Sequence, residues 1–173
     1  MLGLSLDDNN ITDVTPLATF KVVSLSLANN NIADISALNA STIVVLNVSG
    51  NPIADFAHLS AFSLLRELDV SSTGMTAVGA LKGLELTELV ANDNQIVSLA
   101  PLVGMSLSFF DLSQNQITDI PQDFSFPATY CRNSSLKENT LSESTLRLLS
   151  ATCDDDASIE WDEGFCEICF VVP

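Results

Sequence analysis

The chain has 173 residues, enough for a single domain with a buried core, and 47% of them are hydrophobic. Six Lys and Arg against 22 Asp and Glu leave a net charge of −16. That balance argues against a nucleic-acid backbone or an anionic membrane as partner, since both are bound through positive surface, and points to a basic protein, a peptide or a metal ion.

The opening MLGLSLDDNN has neither the charged start nor the long apolar stretch of a signal peptide, and no run in the chain reaches the length of a membrane span. It already lies inside a repeat. The pattern L-x-L-x-x-N-x-I-x-D-I-x-x-L starts at Leu4, Leu25, Leu46, Leu68, Leu89 and Phe110, at spacings of 21, 21, 22, 21 and 21 residues. A fixed period of this size predicts a solenoid. No polar N-terminal cap precedes copy 1, which implies that the sequence begins inside a longer array.

In each copy the two apolar residues of L-x-L alternate with polar ones, as in a short strand buried on one side. Leu25 and Leu27 are expected to point inward, and Ser24, Ser26 and Ala28 outward. On this reading Leu27 and Leu68 are core residues, and Ser26→Ala costs almost nothing. The next apolar position holds Ile11, Ile32, Ile53, Met75, Ile96 and Ile117. Asn9, Asn30, Asn51, Asn94 and Asn115 recur where the chain turns inward, and their amides can satisfy stranded backbone groups as a ladder. Thr73 breaks that ladder, so the fourth copy is expected to be the least regular. Asp13, Asp34, Asp55 and Asp119 recur two residues after the apolar position and read as caps of convex turns rather than as a row of metal ligands.

The repeat spacing stops at Ile120-Pro121, which divides the chain into repeats (1–121) and a C-terminal cap (122–173). TLSESTLRLLSA predicts a helix of about ten residues with Thr140 and Glu143 as its capping box and an apolar face of Leu141, Leu146, Leu148 and Leu149. The run from Asp154 to Glu163 reads as a solvated acidic loop. Cys131, Cys153, Cys166 and Cys169 all fall in the cap, where disulfides would staple a core-poor element; free thiols or a zinc site are the rivals. The sequons at Asn10, Asn39, Asn47 and Asn133 are glycosylation candidates.

The six copies resemble the leucine-rich repeat family, in the short-repeat form of bacterial internalins and a phosphatase regulatory subunit. The resemblance covers about residues 1–121. It implies an α/β solenoid with a parallel β-sheet on the concave face, short 3₁₀ or extended convex segments, and a helical cap closing its C-terminal end. It also implies binding of a protein or peptide on the concave face, and no catalysis.

The outward strand positions of copies 4 to 6 gather acid at Glu67, Asp69, Glu88 and Asp111, with Val90 and Asn92 beside it and Phe109 as an aromatic anchor. With one histidine, His58, and no phosphate loop, no catalytic set can be assembled, and neither a cofactor nor a metal is expected. The leading expectation is a binding module of a secreted or cell-surface protein. A cytoplasmic scaffold or regulatory subunit, or a structural piece of a larger receptor, stands behind it.

Overall fold

The computed structural model describes residues 2–124 and 134–152, with the side chains of its last helix described as far as Arg147. Six three-residue strands, β1 (Gly3–Ser5), β2 (Ser24–Ser26), β3 (Val45–Asn47), β4 (Glu67–Asp69), β5 (Glu88–Val90) and β6 (Phe109–Asp111), form one parallel sheet in chain order. The register aligns Leu4, Leu25, Leu46, Leu68, Leu89 and Phe110 across the sheet. A slip of one residue would turn this apolar column out to water, so the alternation itself sets the register.

Behind the sheet each copy sends further apolar residues into one continuous core. In copy 2, Leu25, Leu27, Ile32, Ile35 and Leu38 are all buried. The chain returns through short 3₁₀ segments at Thr15–Leu17, Ala57–Ala61, Gly79–Leu81 and Ala100–Leu102. Carboxylates precede two of these segments and the return of copy 2: Asp13, Asp55 and Asp34 accept the N–H groups of Thr15, Ala57 and Ser36 at 2.7–2.8 Å. Asp119 departs from that pattern. It accepts hydroxyl protons from Thr118, Ser142 and Thr145 and ties copy 6 to the next segment.

The asparagines carry the turns. Asn51 donates to the carbonyls of Leu27, Val48 and Ser49 and accepts the Ile32 N–H, at 2.9–3.1 Å. Asn30, Asn94 and Asn115 repeat that arrangement, each linking its own copy to the one before. Exposed Asn9 bonds only within its own turn, to Leu6 O and Asp7 O. Thr73 is too short to span two copies, and its hydroxyl donates to Val70 O of its own turn.

One residue before each of these positions the backbone is left-handed: Asp8, Asn29, Gly50, Ser72, Asp93, Gln114 and Glu138 have φ between 53° and 65°. Only Gly50 adopts this without a side-chain penalty. A Cβ there would also lie 2.4 Å from Asn29 Oδ1.

The series includes Glu138, and the ladder does not stop at the boundary placed after residue 121. Asn139 donates to Leu112 O and Leu136 O and accepts the Ile117 N–H. Ser135 bridges in parallel to Asp111. A seventh, degenerate turn therefore follows copy 6. Helix α1 (Glu143–Thr152) comes after it. Its N-terminal cap is Ser142, whose hydroxyl accepts the Thr145 N–H, and not Thr140 as the sequence suggested. Glu143 instead pairs with Arg147 one turn on. Leu141 and buried Thr145 pack this end onto the core.

Candidate binding surface

The sheet register sets the predicted face residues in two rows. Glu67, Glu88 and Phe109 occupy one row on β4, β5 and β6, and Asp69, Val90 and Asp111 occupy the next. Neighbours within a row are about 4.8 Å apart, the spacing of adjacent strands. Glu67 and Glu88 are exposed, whereas Asp69, Val90, Phe109 and Asp111 are half-buried. The result is a flat acidic surface with an apolar seat at Val90 and Phe109.

The aspartates are not simply free acids. Asp69 Oδ1 accepts both the N–H and the hydroxyl of Ser71, at 2.9 and 2.6 Å. Asp111 does the same for Ser113, and Asn47 for Ser49. These N–H groups lie just past the strand ends, and the side chain two residues earlier is the acceptor that reaches them. Each aspartate thus spends one oxygen on structure. The Asn47 sequon has the same spacing and the same bonds, so it reads as the amide version of this cap. Asn92 is also engaged, accepting the Ser71 hydroxyl at 2.7 Å.

Two expectations about this face need correction. Ala28, placed among the outward positions, is buried, as is Ser71 at the matching position of copy 4, because the third outward column lies past the strand ends where adjoining turns close over it. Ser26 is not idle either: its hydroxyl donates to Asp7 Oδ1 at 2.6 Å, and Asp7 also receives the Ala28 N–H from the neighbouring copy. Ser26→Ala therefore removes a bond between copies. Sequence reasoning missed Asp7, Ser26 and the Ser71–Asn92 contact. Those contacts cross between copies and leave no local pattern, whereas the caps do have one, an acidic or amide residue two positions before a serine, at Asn47, Asp69 and Asp111.

The Ser26 hydroxyl, ahead of the Ser5 hydroxyl and the Ala28 N–H, holds the Asp7 carboxyl below the usual carboxylate range despite partial desolvation. The Thr15 and Ser36 N–H groups do the same for Asp13 and Asp34, and the Ser142 hydroxyl for Asp119. A lowered folded-state pKa means that the unfolded chain takes up protons first. These contributions are therefore complete above about pH 5 and are lost as the pH falls from about 4 through the lowered folded-state pKa values. The urea midpoint is expected to drop between pH 5 and pH 3, and to drop less in Asp7→Ala. Equal drops in the two proteins would show that Asp7 carries none of the effect.

Of the glycosylation candidates, Asn10 is exposed, and Asn39 and Asn47 are half-buried with Oδ1 already bonded to Ser41 and Ser49. Asn133 and all four cysteines, Cys131, Cys153, Cys166 and Cys169, lie outside the described residues, as does the acidic run from Asp154. A groove of about 680 Å³ runs beside the strands of copies 4 and 5, lined among others by Arg66, Lys82, Leu84, Glu85 and Met105. None of the predicted face residues lines it. Among the described residues no helix is long and apolar enough to cross a membrane.

Two stretches of the chain match family models, residues 106–126 one described as Leucine Rich Repeat and residues 63–82 one described as Leucine Rich repeat. Among solved structures, internalin C2 (inlC2) from Listeria monocytogenes str. 4b F2365 superposes with a TM-score of 0.75 at 23% identity, over 93% of this chain and 80% of that one. An internalin (inlF) from the same strain has a TM-score of 0.62 at 29% identity, over 91% of this chain and 52% of its own. A chain of the LRIM1/APL1C complex is more distant, with a TM-score of 0.56 at 17% identity, over 82% of this chain and 31% of that one. This chain thus spans about half of the inlF chain and about a third of the last. No curated protein matches by sequence.

Proposed function

We propose that this chain, two stretches of which match leucine-rich-repeat models, is a leucine-rich-repeat array and a protein- or peptide-binding module whose contact surface is the sheet face of copies 4 to 6. The observation that carries the reading is the register of β4, β5 and β6. It sets Glu67 beside Glu88 and flanks Val90 with Asp69 and Asp111, next to Phe109. A basic side chain can lay its aliphatic stem on Val90 or Phe109 and its charge against the glutamates. Flat and solvated, the surface suits a macromolecular partner better than an enclosed substrate, which is the ground for reading it as non-catalytic.

The test is panning of a random peptide display library against the intact chain. Binders enriched in Lys and Arg are expected, and Glu67→Gln with Glu88→Gln should weaken them at least tenfold. Phe109→Ala should weaken them by a similar factor, as expected of an aromatic anchor. Asp111→Asn is the right charge probe at its position, because it keeps the acceptor that Ser113 needs. Binders that ignore all these variants would overturn the reading.

We place the protein outside the cell or at its surface, on the strength of four cysteines confined to the sequence after copy 6. Intact mass of natively produced protein, alkylated with and without prior reduction, checks this. Four cysteines blocked without reduction are expected. Four reactive thiols would instead favour a cytoplasmic scaffold.

A further inference from the structure

Every junction between neighbouring copies is crossed by the sheet, but five of the six are also bonded on the side away from it. At these five an asparagine amide reaches into the preceding copy: Asn30 to Leu6 O, Asn51 to Leu27 O, Asn94 to Val70 O, Asn115 to Ala91 O and Asn139 to Leu112 O. Each of the same five carries one further backbone bond, donated by Asn31, Ala54, Gln95, Gln116 and Ser142 to the copy before. The junction of copies 3 and 4 has neither. Thr73 bonds within its own turn and forward to Asn94 Oδ1 of copy 5, not back to copy 3, and the Ile53 N–H that a ladder asparagine would have accepted is taken by Asn51 O of its own copy. Among the described residues, the hydrogen bonds that cross this junction along the turn stop at Gly50 N–H to Ser71 O, and the next lie at the far end of the copy, where Arg66 bonds to Glu85 and accepts the Thr87 N–H. Between these points Gly74 has open space where a Cβ would stand.

We infer that the array is built as two cooperative units, copies 1–3 and copy 4 onward, which part at this seam. Stability in a solenoid is a sum of unit and junction contributions, so the junction that lacks its cross-bonds is where a sub-global opening stops. In copy 1, Leu4, Leu6 and Ile11 are only half-buried and Leu2 is 63% exposed. The first unit therefore opens at lower free energy than the second. The acidic face lies wholly in the second unit and keeps its geometry while the first is open.

Native-state hydrogen exchange by mass spectrometry on the intact chain, across sub-denaturing urea, tests this. Amides of copies 2 and 3 should converge on one opening event, with protection rising in a single step of about tenfold or more between Gly50 and Ser72. Thr73→Asn restores the missing amide and should slow exchange in copies 1–3 by about tenfold, erasing the step. A smooth gradient from copy 1 to copy 6 would be end fraying and would overturn the inference. So would uniform protection, or a step that Thr73→Asn leaves unchanged.

Discussion

Replacing Asn51 with alanine is expected to lower the stability of the protein by about 3–5 kcal/mol. The side chain is 1% exposed, so water has no ready access to what it leaves behind. Its loss orphans the Ile32 N–H and the Val48 carbonyl, two copies being affected at once, while Leu27 O keeps the Asn30 amide as its donor. Each orphaned buried group costs about 1–3 kcal/mol, and the deleted amide returns only its own desolvation. Equilibrium urea unfolding measures the loss. A value below about 1 kcal/mol would mean that water enters and replaces the amide. Asn9→Ala is the control: the position is exposed and serves its own turn only, so its cost should be a small fraction of the other.

Phe62→Ala is expected to cost about 3–5 kcal/mol by the same measurement. Phe62 is fully buried, in the copy that is one residue longer than its neighbours. Where the other described 3₁₀ segments are three residues long, this one runs from Ala57 to Ala61 and delivers the ring into the core just after it. The His58 ring meets it edge to face, with centroids 5.4 Å apart at 84°, and His58 Nε2 lies 3.1 Å from Leu38 O of copy 2. Removing the ring opens a cavity and also loosens the histidine that joins the two convex turns. Leu64→Ala, two residues away but 45% exposed, should change stability little. Similar losses in the two variants would mean that the longer return collapses to fill the space.

The fold was legible because its information is local and repeated. An apolar alternation of period two, followed at a fixed distance by asparagine, can be recognised copy by copy, and the strands begin where that alignment puts them. What escaped notice departed from the pattern for chemical reasons. The seventh turn has Ser134 where the others have leucine or phenylalanine, and it comes 24 residues after Phe110. The signal that remained was Leu136-Lys137-Glu138-Asn139-Thr140-Leu141, in which asparagine keeps its place after a single leucine. On the face, the two glutamates were readable as exposed acids because they sit at strand starts. The half-structural role of Asp69 and Asp111 was not readable, because it depends on N–H groups that only the end of the sheet leaves unpaired.

From the first strand leucine to the ladder residue the interval is five residues in every turn, from Leu4 to Asn9 through Ser134 to Asn139. All variation in spacing falls on the other side of the molecule. The left-handed residue is the reason: one backbone reversal of fixed geometry, placed against the copy before, leaves no slack between sheet and ladder. Length can therefore be added where copy 3 has already taken one extra residue, and a loop grafted there would be displayed without moving the sheet face. The same insertion between Leu46 and Asn51 would shift every later rung. Tolerance to insertion in this chain is a property of which side of the turn is cut.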